Sequence, residues 1–174
     1  MWLGRLVLLI ICLSVKPVFA DRYALQIQNN VSYTTFAAKV VRIMDGDTME
    51  VLYKNTQIKI RLAHIDCPEK RGKQPFGNNA KQALSDLCFG QIVTVKGEKF
   101  DRYRRLIAVV VNSKKQIINQ EMVRSGMAWH FTKYSTDKVY AQLEINARRN
   151  KRGLWRDVHP VAPWEWRKPK VKTI

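Results

Sequence analysis

Acidic residues are scarce in this chain of 174 residues, which has 31 lysines and arginines but only 14 aspartates and glutamates. The net charge of +17 favours a polyanionic partner, such as nucleic acid, an anionic membrane surface or an acidic polysaccharide. The basic residues cluster in 99–105, 148–152 and 167–172, and the first cluster includes Phe100 and Tyr103 as surfaces for stacking. This clustering argues against a basic surface that is merely solvated.

Motifs built on cysteine and histidine are also missing. No Cys-x-x-Cys pair occurs, and His64, His130 and His159 are scattered, which argues against a zinc site and leaves histidine catalysis unsupported. His64 continues the inward face of a predicted strand, and we interpret it as structural. Cys67 and Cys88 form an even pair in a chain expected to be exported, and the sequence leaves open whether they are bridged or lie free in the core.

No apolar run is long enough to span a bilayer, for which about 20 residues are needed. Residues 1–20 have a basic start at Arg5, an apolar stretch over 6–15 and a small-residue ending over 18–20. This pattern predicts a signal peptide cleaved near Ala20, and an uncleaved anchor is the alternative. We therefore expect a secreted or periplasmic protein with no stable membrane insertion after cleavage.

The rest of the chain predicts a polar lead-in over 21–37, one domain over 38–156 and a basic tail with prolines and tryptophans over 157–174. Apolar alternation predicts strands, and apolar spacings of three and four predict helices. The predicted strands are 39–44, 49–53, 58–65, 91–96 and 106–111, and the predicted helices are 78–90, 119–126 and 136–153. This order favours an α+β fold, an OB-fold with a five-stranded Greek-key barrel and three helices, over a parallel sheet.

Several of the few acids gather in two short segments, DGDT at 45–48 and RLAHIDCPE at 61–69. Asp-Gly alone favours an ordinary hairpin turn. However, adjacent antiparallel strands bring Asp47 and Asp66 to the same end of the sheet, where their repulsion requires an opposing charge. A calcium ion would supply that charge, because it accepts six to eight oxygen ligands in a flexible geometry suited to loops.

Arginines beside these acids indicate phosphate chemistry. Arg61 lies on the strand face opposite the core side chains, and the basic loop is expected to contribute a second arginine, Arg105. Bidentate guanidinium groups suit the equatorial oxygens of a five-coordinate phosphorus. Glu69, after Pro68, could polarise a water as general base, or could be only an exposed loop carboxylate.

Six motifs together resemble the staphylococcal nuclease (thermonuclease) family over about residues 38–156: DGDT, RLAHIDCPE, FG followed by a helix, DRYRR, EMVRSGMAW and NKRGLW. Each motif is weak alone, and their order and spacing carry the resemblance. The resemblance implies an OB-fold barrel with three helices that hydrolyses DNA and RNA with calcium and leaves 3′-phosphate ends. We expect a monomer.

The resemblance also implies a role for each matched position. The catalytic positions match Arg61, Glu69 and Arg105. The calcium ligands match Asp47, Asp66 and, through its main-chain carbonyl, Cys67. The substrate-contacting positions match Arg102, Tyr103 and Tyr134. Arg104 stands where the family commonly has glycine, which makes this loop more basic.

The leading hypothesis is a calcium-dependent nuclease with little sequence preference, which favours single-stranded or locally melted DNA and RNA. Two other functions compete with it. A non-catalytic nucleic-acid-binding module on the same barrel would be expected to lack one or more of the five chemical residues, but all are present: Asp47, Arg61, Asp66, Glu69 and Arg105. A basic protein that adheres to an anionic envelope polymer would leave the acidic cluster unexplained.

Overall fold

The structure, a computed structural model, describes residues 34–169, so the predicted signal peptide and most of the predicted lead-in lie outside the described residues. The strands of this part are β1 Thr35–Asp45, β2 Thr48–Tyr53, β3 Thr56–Leu62, β4 Ile65–Asp66, β5 Ile92–Phe100, β6 Leu106–Val111 and β7 Trp129–His130. The helices are α1 Gly77–Cys88, α2 Ile118–Arg124, α3 Lys138–Arg149 and α4 Pro163–Trp166, and a 3-10 helix spans Gly153–Arg156. No helix over 34–169 is long and apolar enough to cross a membrane.

Five strands close into a barrel in the order β1, β2, β3, β6, β5. Neighbouring strands pair antiparallel, except that β3 and β6 run parallel. The predicted OB-fold barrel and its three main helices are confirmed, and α4 and the 3-10 helix add to them. Because β1 begins at Thr35, the end of the predicted lead-in belongs to the barrel.

The turns between the first three strands place the candidate site at one end of this barrel. Lys54 and Asn55 adopt positive φ angles of 45° and 62° and form the hairpin turn between β2 and β3. The predicted third strand is too long, because β3 ends at Leu62 and His64 adopts a φ of 68° in a turn. The prediction that His64 continues the inward face of a strand is therefore wrong, and its Nδ1 atom contacts Oγ of Ser135 at 3.0 Å.

The core fills the barrel and the gap between the barrel and α1. The apolar stripe predicted for α1 packs there as expected, with Ala80, Leu84 and Cys88 buried and with Ala83 and Leu87 partly buried. Cys67 and Cys88 are both buried and free, so the structure supports the unbridged alternative.

A second apolar cluster holds the C-terminal segment, residues 157–169, against the domain. The ring of Trp164 stacks on Phe131 with a centroid distance of 5.3 Å and meets Trp129 edge-on at 5.6 Å. Trp129 also meets Trp155 at 4.4 Å, and the guanidinium of Arg148 lies 3.9 Å from the centroid of Trp155. Aromatic pairs of this kind stabilise packing beyond their buried area. The tail predicted from the sequence is therefore packed on the domain through residue 166.

Candidate active site

The two predicted calcium carboxylates lie where the turn before β2 meets the end of β4. Thr48 pairs with Arg61 in the β2–β3 register, and the amide of Leu62 donates to the carbonyl of Asp47 at 2.9 Å. The turn packs so tightly that a Cβ at Gly46 would lie 2.8 Å from Cβ of Cys67. A glycine is therefore needed at this position to bring Asp47 against the segment that carries Asp66.

Arg61 joins the two carboxylates. Its Nη2 atom lies 2.8 Å from Oδ1 of Asp66 and 3.1 Å from Oδ2 of Asp47. Its Nη1 atom donates to the carbonyls of Leu62 and Ile65 at 2.7 and 2.8 Å. Arg61 lies on the predicted face of β3, but only 9% of its surface is exposed, because the turn after β3 folds back over the guanidinium.

Burial and charge–charge contacts shift the pKa values of this network. Burial lowers the pKa of Arg61, but Asp47 and Asp66 outweigh it, so the pKa lies above its ordinary value and the guanidinium stays charged. Burial, and after it the charge of Asp47, raises the pKa of Asp66 to about 6 against the opposing effects of Arg61 and Arg167. The Cys67 thiol is neutral, because burial raises its pKa well above the usual range.

Two observations bear on whether these donors suit a hard divalent cation. Oδ2 of Asp66 is buried and has no hydrogen-bond partner, although it belongs to a charged group. Burial raises the pKa of Asp45, and the charges of Asp47 and Glu69 raise it further, so these acids repel one another. These carboxylates face the guanidinium groups of Arg61 and Arg167 and, at Asp45, the ammonium of Lys81.

Residues 34–169 contain no group of three or more His, Cys, Asp or Glu side chains placed to hold a metal ion. A cation here would therefore need main-chain and water oxygens besides Asp47 and Asp66. Calcium accepts such mixed oxygen ligands. Cys67 does not supply its sulfur, since the thiol is neutral and buried, and its amide donates to Oδ2 of Asp47 at 3.1 Å.

Glu69 is held by a residue that the sequence did not identify. Nε of Arg167 donates to Oε1 of Glu69 at 2.6 Å, and Nη2 of Arg167 donates to Oδ1 of Asp66 at 2.7 Å. Glu69 is therefore a partly buried, ion-paired carboxylate, and its role as general base stays a prediction. The only signal for Arg167 was its place in the basic cluster 167–172, because 98 residues separate it from Glu69.

Arg105 lies in a separate loop, where it pairs with Asp101. Its Nε and Nη2 atoms both lie 2.8 Å from Oδ2 of Asp101, whose Oδ1 accepts the amides of Tyr103 and Arg105 at 2.9 Å. Arg104 adopts a φ of 59°, which explains why glycine suits this position. The parallel pairing of Ile60 with Leu106 places Arg105, the last loop residue before β6, next to the strand that carries Arg61.

The predicted substrate-contacting tyrosines are exposed on the surface. Tyr103 is 64% exposed, and the guanidinium groups of Arg102 and Arg105 lie 5.0 and 5.5 Å from its ring centroid. Tyr134 is 69% exposed and packs edge-on against Phe131 at 4.9 Å. Both rings offer a face on which a nucleic-acid base could stack.

The structure thus brings the predicted residues together in three groups. Asp47, Arg61, Asp66 and Cys67 are in direct contact, and Arg167 joins Glu69 to them. Arg102, Tyr103 and Arg105 form a second group on the β5–β6 loop. Tyr134 lies by itself beside the aromatic cluster of the C-terminal segment.

Comparison with known proteins identifies the family. The model of the family described as staphylococcal nuclease homologue matches residues 59–157. An "Uncharacterized endonuclease" of Haemophilus influenzae is 47% identical over 131 residues, which cover 75% of this chain and 72% of that protein. A "Micrococcal nuclease" of Shigella flexneri is 42% identical over 147 residues, which cover 79% of this chain and 83% of that protein. The chain therefore belongs to the staphylococcal nuclease family.

Proposed function

We propose that this protein is an exported, calcium-dependent nuclease that hydrolyses DNA and RNA with little sequence preference and leaves 3′-phosphate ends. The observation that carries the proposal is the unpartnered buried oxygen of Asp66 in a network that already contains the guanidinium of Arg61. An uncompensated carboxylate oxygen beside a buried arginine suits a site that binds a cation and a phosphate together. The printed names of the relatives, endonuclease and micrococcal nuclease, support the same activity.

Asp47, Asp66 and the main-chain carbonyl of Cys67 would hold the calcium ion. When bound, calcium stabilises negative charge on the phosphate and favours ionisation of a neighbouring water. The described contacts of Arg61 are two hydrogen bonds from Nη1 and two ion pairs of Nη2. They leave Nε as the donor for a phosphate oxygen.

Glu69 would remove the proton from the attacking water, and its carboxylate is suited to this role because Arg167 fixes its orientation. Arg105 would contribute the second guanidinium at the phosphorus, from the end of the loop that leads into β6, the strand beside that of Arg61. Its pairing with Asp101 keeps the side chain ordered before substrate binds. A bidentate guanidinium would stabilise the charge on the equatorial oxygens as the phosphorus becomes five-coordinate.

The substrate range follows from the surface around the site. Arg102 and Tyr103 combine a charge for the phosphate backbone with a ring for base stacking, and Tyr134 offers another ring. Contacts of this type read the backbone and the face of a base rather than its edge, so they discriminate little between sequences. They require unstacked bases, which favours single-stranded or locally melted substrates.

An assay of the mature chain, expressed from Asp21, tests the proposal. The protein is incubated with labelled single-stranded DNA and RNA, with calcium or with a calcium chelator, and the product ends are analysed for phosphate. We expect cleavage only with calcium and 3′-phosphate ends. Arg61→Ala and Glu69→Gln should each lower kcat by about 100-fold or more, while nucleic-acid binding persists.

Three other results would contradict parts of the proposed function. Binding without cleavage under all these conditions would identify a nucleic-acid-binding module instead. Cleavage that the chelator does not change would exclude the role given to Asp47 and Asp66. Fractionation of cells that produce the full-length chain tests export, and protein that remains in the cytoplasm with residues 1–20 attached would contradict it.

A further inference from the structure

The C-terminal segment, residues 157–169, contacts the carboxylates of the candidate active site through the side chain of Arg167. Arg167 lies just after α4, and its guanidinium bridges Glu69 and Asp66 with contacts of 2.6 and 2.7 Å. Asp66 is fully buried, whereas 42% of the Arg167 side chain is exposed. The segment therefore places a cation at the mouth of the site from outside the residues that match the family model.

Arg167 contacts only one oxygen of each of the two carboxylates. Arg167 contacts Oδ1 of Asp66, the oxygen that Arg61 also contacts, and Oδ2 of Asp66 has no partner. On Glu69 the contact uses Oε1. The Arg167 bridge therefore uses one oxygen of each acid, so it can orient the two groups without occupying both of their oxygens.

A second link between the segment and Glu69 runs through the backbone. The side chain of Gln74 is buried, and its Oε1 accepts the amide of Glu69 at 2.9 Å while its Nε2 donates to the carbonyl of Val161 at 2.8 Å. Glu69 is thus tied to the C-terminal segment at its main chain and at its carboxylate. Two independent contacts on one residue distinguish this arrangement from a chance surface ion pair, which contributes little.

The segment is itself held firmly enough to act as a support. Trp164, three residues before Arg167, packs between Phe131 and Trp129. The indole nitrogen of Trp166 lies close to Gly72, in the loop that follows Glu69. The position of Arg167 is therefore set by packing rather than by its ion pairs alone.

We propose that Arg167 is a positioning residue of the nuclease site, which orients the carboxylate of Glu69 beside Asp66 and makes the C-terminal segment part of the active enzyme. This inference rests on the proposed function, because the consequence of losing the orientation is slower proton removal from water by Glu69. The effect belongs on kcat, since Arg167 orients the base and the basic loop around Arg102 and Tyr103 binds the substrate.

The test compares Arg167→Gln with Lys168→Gln. Lys168 is the next residue along the chain and pairs with Glu165 on the surface, so both variants remove one positive charge from the same segment. We expect Arg167→Gln to lower kcat by about 10- to 100-fold with KM within about threefold of wild type, because misplaced catalytic groups cost rates of this size. Lys168→Gln should keep the wild-type kcat. Arg167→Lys should fall between Arg167→Gln and wild type, because an ammonium group keeps the charge but cannot span both acids with a planar fork.

Calcium binding provides a readout that does not depend on catalysis. Titration calorimetry should show Arg167→Gln binding calcium at least as tightly as wild type, because a positive charge beside Asp66 has been removed and the ligands remain. Binding that is more than about tenfold weaker would mean that the substitution disrupts the site as a whole, and would overturn a positioning role.

The possible activity results separate the two proposals. Wild-type protein that does not cleave nucleic acid would remove the proposed function and this inference with it. If the wild-type protein cleaves nucleic acid and the Arg167→Gln variant is equally active, the role of Arg167 is wrong and the proposed function stands. A higher kcat in Arg167→Gln would also overturn it, because it would show that the guanidinium obstructs the site.

Discussion

Gly77, the first residue of α1, lies against the main chain of Glu69. A Cβ atom at position 77 would lie 2.5 Å from the carbonyl oxygen of Glu69 and 2.9 Å from the amide nitrogen of Lys70. Backbone atoms cannot move aside as a flexible side chain can, so α1 and the loop that carries the acid can approach this closely only with glycine here. The position of Glu69 thus depends on the start of α1 as well as on Arg167.

Gly77→Ala should therefore lower kcat by about tenfold or more, because the added methyl group pushes the Glu69 backbone away from Asp66. The extra methyl should also reduce the free energy of unfolding by about 1–3 kcal/mol, as overpacking usually does. Steady-state kinetics and denaturant unfolding measure the two effects separately.

Asn78→Ala is the matched control for Gly77→Ala, because Asn78 is the next residue of α1 and is exposed. This variant should retain wild-type kcat and stability within experimental error. A Gly77→Ala enzyme with full activity would show that the loop can shift without consequence for Glu69.

Arg61 is expected to contribute to stability as well as to catalysis. Removing one partner of a buried ion pair leaves an uncompensated charge, at a cost of about 3–5 kcal/mol. Arg61→Ala would leave Asp47 and Asp66 facing each other, so the calcium-free protein should lose a free energy of unfolding in this range. Urea unfolding measures it, and calcium should restore part of the loss because it opposes the same repulsion.

Arg124→Ala serves as the control for Arg61→Ala. Arg124 pairs with Glu121 on the surface, where ion pairs typically contribute less than about 1 kcal/mol. Equal destabilisation by the two variants would show that the Arg61 network is energetically no different from a solvated pair.

Local sequence patterns account for part of the candidate site, and contacts between distant parts of the chain account for the rest. The approach of Asp47 and Asp66 follows from the antiparallel connection of adjacent strands, a local property of the chain, whereas the ion pairs of Arg61 with both acids were not predicted. The burial of Arg61 does not follow from alternation, because it depends on a turn that folds back over the strand. Arg167 could not be predicted at all, because its contact with Glu69 spans 98 residues and depends on aromatic packing of the segment.

The raised pKa of Asp66 predicts that calcium binding weakens in mild acid. Burial and the charge of Asp47 raise this pKa to about 6, so the carboxyl takes up a proton as the pH falls through 6, and a protonated ligand cannot bind calcium. The dissociation constant measured by calorimetry should be nearly constant above pH 7 and should rise by roughly tenfold per unit below about pH 6. A constant affinity between pH 5 and pH 7 would contradict the assignment.

The same shift predicts the opposite trend for the stability of the calcium-free protein. Because the folded-state pKa of Asp66 lies above the ordinary value for aspartate, the folded protein binds this proton more tightly than the unfolded chain does. The contribution of Asp66 to stability should therefore grow as the pH falls from about 6 to about 4, and should vanish as the pH rises above 6. Asp66→Asn should remove this component from thermal unfolding profiles.

Packing at Trp164 is predicted to control catalysis from a distance, through the position of Arg167. Trp164→Ala removes the stack on Phe131 and the edge contact with Trp129, so the C-terminal segment should loosen and kcat should fall by about 10- to 100-fold, as in Arg167→Gln. If both substitutions act by releasing Glu69, the double variant should have a kcat no lower than the worse of the two single variants, because coupled residues are not additive. Val158→Ala, at a position that is 83% exposed in the same segment, should keep wild-type kinetics. Fully additive losses in the double variant would show that Trp164 and Arg167 affect the enzyme by separate routes.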